Sequence, residues 1–184
     1  MGDVTDQALR AARGDAAALA GFITSTITDV RRYCAAVVDD QGADDLVQQT
    51  YLKAIRALPR YRGDAPAKVW LLGIARHTCI DEIRLRQRRR AVEHVGLIVE
   101  PPTKHDLSEA AALNDLVSRL EPDRREAFVL TQVLGFSYEE AAATIGCPVG
   151  TVRSRIYRAR AELVAALEAR RVADNVHLRE INRR

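Results

Sequence analysis

The stretch VRSRIYRAR, Val152 to Arg160, concentrates side chains that suit nucleic acid. Guanidinium groups pair with phosphates and with base edges, and hydroxyl and phenol groups add donors of the kind grooves accept. A second cluster lies between Arg84 and Arg90, where five arginines crowd together, the electrostatic footprint of phosphate binding. A third grouping has the makings of a metal or proton-transfer site: His77 and Asp81 sit four apart, with Cys79 and Glu82 close by. It falls short, because a metal needs three or four converging ligands and Cys79 would point away from the His77–Asp81 face of a helix. No Gly-rich phosphate loop, nucleophile elbow or HExxH motif occurs, so neither an enzyme nor a metal or other cofactor is expected.

The first cluster needs a helix-turn-helix to present it. Phe136 to Arg160 reads as two short helices around a tight turn. Ser137 can cap the first, with Glu140 reaching back to close a capping box. Tyr138, Ala141, Ala142 and Ile145 share one face, and Gly146 and Pro148 end the helix. The second helix starts within Val149 to Thr151 and carries Val152, Ile156, Ala159 and Leu163 on one apolar stripe. Ser154, Tyr157 and Arg158 then point away from the core, with Arg153 and Arg160 on a flank. A small-residue helix, a Gly-containing turn and a basic second helix describe a groove-reading motif.

The second cluster ends a helix predicted over Ala67 to about Arg90, which begins apolar with Val69, Trp70, Leu72 and Ile74. The loop before it, Arg60 to Pro66, is aromatic and basic, which suits stacking and backbone contacts with single-stranded DNA. Trp70 lies on the apolar side and is expected in the core. Ahead of that loop, Ala43 to Leu58 forms a helix with Leu46, Val47, Thr50, Tyr51, Ala54 and Leu58 buried, and Asp44 or Asp45 as its cap. Asp45, Gln48, Gln49, Lys53 and Arg56 make its polar face. Asp3 to Val38 is helical scaffold, broken at Gly14 and restarted by Asp15. After Pro101 and Pro102, Leu113, Leu116, Val117 and Leu120 open a second helical unit. Pro122 starts its next helix, which carries Phe128, Leu130, Val133 and Leu134 as apolar positions and ends at Gly135.

Composition agrees with a small all-α protein. Of 184 residues 47% are hydrophobic and only 5% aromatic, which suits Ala- and Leu-rich helices, and the net charge of +3 matters through its placement. Three separated cysteines without a CxxC spacing argue against a disulfide framework and fit a reducing cytoplasm. No run approaches membrane-spanning length and no secretory leader is evident, so a cytoplasmic protein is expected.

These motifs, in this order, resemble the bacterial RNA polymerase sigma factors of the extracytoplasmic function type, group IV of the sigma-70 family. ADDLVQQTYLKAI, Ala43 to Ile55, resembles the family's region 2.2, and YRGDAPAKVWLLGIARHTCIDEIR, Tyr61 to Arg84, its regions 2.3 and 2.4. LEPDRREAFVL, Leu120 to Leu130, resembles region 4.1, and GCPVGTVRSRIYRAR, Gly146 to Arg160, region 4.2. The resemblance implies two small helical domains joined by an extended linker. These are a region 2 bundle over residues 1–90, a linker over 91–108, a region 4 helix-turn-helix domain over 109–172, and a polar tail over 173–184 that reads as frayed.

The resemblance also implies partners and contacts. Asp45, Gln48, Gln49 and Lys53 would dock on the β′ clamp helices of core RNA polymerase, whose β flap is the second contact. Tyr61, Arg62, Lys68, Arg76, His77, Arg84, Arg86 and Arg88 would serve the minus-ten element, where the melted non-template strand is captured. Thr151, Arg153, Ser154, Tyr157, Arg158 and Arg160 would read the minus-thirty-five duplex. An anti-sigma factor is a further candidate partner. His77 stands where the family often has Asn, bringing an imidazole near the captured base. The alternative from the helix-turn-helix alone is a stand-alone repressor or activator, which would usually dimerise on a palindrome.

Overall fold

The arrangement of this chain follows from apolar stripes that repeat every three or four residues along each helix. A computed structural model describes residues 3–93 and 115–181. Four helices come first: α1 (Val4–Ala12), α2 (Ala16–Val37), α3 (Ala43–Ala57) and α4 (Ala67–Glu93). After residue 114 come a short helical turn at 115–118, then α5 (Pro122–Phe128), α6 (Tyr138–Ile145) and α7 (Val149–Ile181). No strand occurs among the described residues.

Local chemistry sets most of the boundaries. Gly14 takes φ +94° between α1 and α2, and Asp15 caps α2 by accepting from the Ala18 amide at 2.9 Å. The cap of α3 differs from expectation. Asp44 and Asp45 fall inside the first turn, and Gly42 is the capping residue without a side-chain bond. Its amide instead donates to Asp39 at 2.7 Å, and Arg86 lies so close that any side chain at position 42 would displace the guanidinium.

The first four helices bury Phe22, Val30 and Tyr33 of α2, Leu46, Val47, Thr50, Tyr51 and Ala54 of α3, and Leu71, Leu72 and Ala75 of α4. A buried polar pair, Thr26 and Tyr51, is resolved by counting protons. Thr26 donates its hydroxyl to the Phe22 carbonyl at 2.7 Å, so Tyr51, 2.7 Å away, donates to Thr26. Trp70 is half-buried and tilts against Tyr61, with ring centroids 4.9 Å apart.

In the second unit Leu116, Val117, Leu120 and Leu130 are buried as expected, and Phe136 joins the same core. Val133 does not: it is 45% exposed. The helix widens at Val129–Val133, where the Leu134 amide reaches back five residues to the Val129 carbonyl at 3.0 Å. A π turn of this kind rotates the following side chains off the regular stripe. At the other end, α7 continues as helix to Ile181, past the point where the sequence suggested a frayed tail. The expected linker over 91–108 overlaps α4 at 91–93 and otherwise lies outside the described residues.

The two units share one continuous core. Helix α6 lies along α4, and α5 packs on α2.

Candidate nucleic-acid interface

The recognition helix is held by three devices. Ser137 accepts from the Glu140 amide at 3.1 Å while the Glu140 carboxylate accepts from the Ser137 amide at 2.8 Å, closing the capping box. Gly146 takes φ 78°, the left-handed turn that only glycine adopts without strain, and its amide returns to the Ala142 carbonyl. Arg155, on the inner flank of α7, pairs with Asp123 at the start of α5. The stripe Val152, Ile156, Ala159 and Leu163 is buried. The opposite face presents Arg153, Ser154, Tyr157 and Arg158 to solvent, with Tyr157 76% exposed. Thr151 is half-buried at the first turn, where the Ser154 hydroxyl donates to its carbonyl at 2.9 Å. Arg160 is exposed but donates to the Gln132 side chain at 2.7 Å.

The eight residues expected at the minus-ten element divide into three groups. Arg62, His77, Arg84 and Arg88 are exposed, and Arg84, Arg88, Gln87 and Asp81 line a shallow, open groove on α4. His77 Nδ1 is 2.7 Å from the Gly73 carbonyl. A carbonyl only accepts, so Nδ1 carries the proton, and in the neutral ring Nε2 is left as an acceptor. Lys68, Arg76 and Arg86 are engaged in ion pairs. Lys68 meets Asp29 at 2.7 Å, Arg76 meets Glu126 at 2.9 Å, and Arg86 meets Glu82 at 2.7 Å as well as Asp39. Tyr61 is buried at 8% exposure and donates to the Ala65 carbonyl at 2.6 Å. Burial pushes its phenol pKa up. Its ring therefore braces the loop and Trp70, and it offers no stacking surface.

On α3, Asp45, Gln48, Gln49 and Lys53 form a continuous exposed face. Lys53 also reaches Asp81 of α4 at 3.5 Å. Leu52 and Ile55 stand on the same side, 57% and 41% exposed, and were missing from the expected contacts. The signal for Leu52 was present, since it lies four residues after Gln48 and three after Gln49.

No group of His, Cys, Asp and Glu capable of holding a metal occurs among the described residues. Cys79 and Cys34 are buried with their sulfurs 3.7 Å apart, and this contact, with burial, pushes the Cys79 thiol pKa up. Nor is any described helix long and apolar enough to cross a membrane.

Comparisons with known proteins match the two units separately. Residues 22–89 match the family model described as sigma-70 region 2, and residues 110–163 that of sigma-70, region 4. The chain is 45% identical over 171 residues to the ECF RNA polymerase sigma factor SigC of Mycobacterium tuberculosis, covering 90% of this chain and 91% of that one. It is 34% identical over 174 residues to the ECF RNA polymerase sigma-E factor of Escherichia coli, covering 85% and 91%. Among solved structures, it is similar to the sigma factor RpoE bound to the anti-sigma factor NepR from Bartonella quintana. That match has a TM-score of 0.72 and 28% identity, over 82% of this chain and 96% of that one. It is also similar to CnrH in complex with the cytosolic domain of CnrY, with a TM-score of 0.70 and 30% identity, over 90% and 97%. With both regions in order on helices whose outward faces carry the expected donors, the chain belongs to the sigma-70 family as an extracytoplasmic function sigma factor, an alternative sigma factor that directs RNA polymerase to promoters.

Proposed function

We propose that α7 reads the minus-thirty-five duplex through Arg153, Ser154, Tyr157 and Arg158, while α4 and the loop before it capture the melted minus-ten strand. The observation that carries this reading is the solvated face of α7, where an aromatic ring and two guanidinium groups stand outward on a helix braced from behind. Its first-turn amides would set the register on a phosphate. Side chains on base edges would then discriminate at about 1–3 kcal/mol per good bidentate contact. Arg62, His77, Arg84 and Arg88 form the minus-ten surface, with Lys68, Arg76 and Arg86 joining it when their carboxylate partners yield. No covalent step is involved.

Asp45, Gln48, Gln49, Lys53 and Leu52 dock on core polymerase, with Leu52 as the apolar centre of a polar patch. A second contact, of region 4 with the β flap, completes the assembly. Two weak DNA-reading units on one enzyme gain by effective concentration. A regulatory partner of the anti-sigma class fits the same reading, supported by the likeness to RpoE in its complex with NepR. The test is fluorescence anisotropy on a labelled promoter duplex, with and without core polymerase. Tight binding only in the presence of the enzyme is expected, and tight binding by a dimer of the isolated chain would overturn the reading.

A further inference from the structure

Two thiols that promoter reading leaves unused meet between α2 and α4. Cys34 and Cys79 stand 45 residues apart in sequence, both are fully buried, and their sulfurs are 3.7 Å apart. A single buried cysteine is no more than a small apolar side chain, but two in contact are the assembled halves of a disulfide. That bond is about 2.05 Å long, so the sulfurs need to close by less than about 2 Å. Contact with Cys34, and next burial, push the Cys79 thiol pKa up, which keeps the pair reduced until oxidant is abundant. Burial also selects the oxidant. Only a molecule near the size of water enters during local openings, and a bulky disulfide such as oxidised glutathione is shut out.

We propose that Cys34 and Cys79 are a peroxide-sensitive thiol pair whose oxidation to an intrachain disulfide switches off strand capture. The switch rests on the reading of α4 as the helix that captures the melted strand. The deprotonated sulfur of one cysteine attacks an oxygen of hydrogen peroxide, the O–O bond breaks, and a sulfenic acid forms as hydroxide leaves. The second sulfur attacks the sulfenic sulfur, the S–S bond forms, and the S–O bond breaks with loss of a second hydroxide. The two thiol protons convert both hydroxides to water, so two thiols and one peroxide give one disulfide and two waters. The pair gives up two electrons and the peroxide takes them. Because the second thiol is already in contact, it traps the sulfenic acid ahead of further oxidation. Cys79 lies two residues from both His77 and Asp81 on α4. Drawing it toward α2 shifts the backbone beneath the exposed His77, Arg84 and Arg88 by more than the roughly 0.5 Å that a preorganised site tolerates. A reducing thiol reverses the bond.

The test uses the full chain with Cys147→Ser, which leaves the pair as its only thiols. The chain is treated with hydrogen peroxide, freed of it, unfolded in iodoacetamide and weighed. Untreated chain should take two labels, treated chain none, and treated chain returned to dithiothreitol two again. The second readout is binding by the holoenzyme, formed after peroxide is removed, to a fluorescein-labelled promoter fork whose non-template strand is already single through the minus-ten element. Treated chain should bind the fork about tenfold more weakly, the scale of one lost hydrogen bond to a charged group, and dithiothreitol should restore it. Cys34→Ala in the same background should bind equally before and after peroxide; if it does not fold by circular dichroism, Cys79→Ala serves instead. Two labels retained after peroxide would overturn the pair, as would labels that dithiothreitol does not restore. A disulfide that leaves fork binding unchanged would overturn the switch. Arg84→Ala with Arg88→Ala reads the underlying assignment separately. Full fork binding by that variant would remove α4 from the strand surface, whatever the labels show.

Discussion

Arg160 donates to the Gln132 side-chain oxygen at 2.7 Å, tying the recognition helix to the π turn ahead of the helix-turn-helix. The same geometry separates two arginines that the sequence alone would treat alike. Arg158 stands on the solvated face, whereas Arg160 already has a partner within the domain. Arg158→Ala is expected to weaken use of the upstream element by about 1–3 kcal/mol, the scale of one base or phosphate contact, with core polymerase affinity unchanged. Arg160→Ala should cost less in promoter use and show instead as a small loss of thermal stability. Transcription from promoters with and without the upstream element checks the first, and a melting curve checks the second.

The α3 face yields a prediction about assembly. Gln48→Ala with Lys53→Ala should impair binding to core polymerase, and Leu52→Asp should impair it more, because it puts a charge at the apolar centre of the patch. Leu52 is 57% exposed, so the substitution leaves the bundle folded. Competition against labelled wild-type chain for core enzyme measures the effect, and equal competition by the variants would refute the docking face.

A third expectation concerns alkaline stability. Burial, and next the Glu126 carboxylate, hold the Tyr33 phenol pKa well above its ordinary value of 10.0. Below pH 10 the phenol is protonated in both the folded and the unfolded chain, and its contribution is complete. Above it the unfolded chain releases the proton while the folded chain retains it, so stability falls as pH rises. Tyr51 and Tyr61, whose pKa values are also raised by burial, add to the same slope. Melting temperatures taken between pH 8 and pH 11 should decline above about pH 10, and Tyr33→Phe should flatten the decline.

Legibility in the sequence followed the range of the interactions involved. The capping box of Ser137 and Glu140, the left-handed Gly146 and the cap of Asp15 are contacts within four residues, and each formed as read. The outward face of α7 was legible for the same reason, since a regular helix turns its side chains by sequence spacing alone. Val133 was misread because a π turn adds a residue that periodicity does not anticipate. Asp44 and Asp45 suit a cap by residue type, but α3 begins ahead of them at Ala43, which leaves both in the first turn and Gly42 as the cap. Arg76 looked like a free cation because its partner, Glu126, lies fifty residues on in the other unit. Tyr61 looked like a stacking platform because nothing nearby in sequence announces Trp70 and Ala65 as its neighbours.

The most direct test of the central claim is transcription in vitro by core polymerase with this chain on a library of randomised promoters. Two short conserved elements separated by a fixed spacer should emerge from the transcribed templates. The downstream one should shift in base preference with His77→Asn, and the upstream one should relax with Arg158→Ala. Selection of a single palindromic site, or transcription no different from core enzyme alone, would contradict the account.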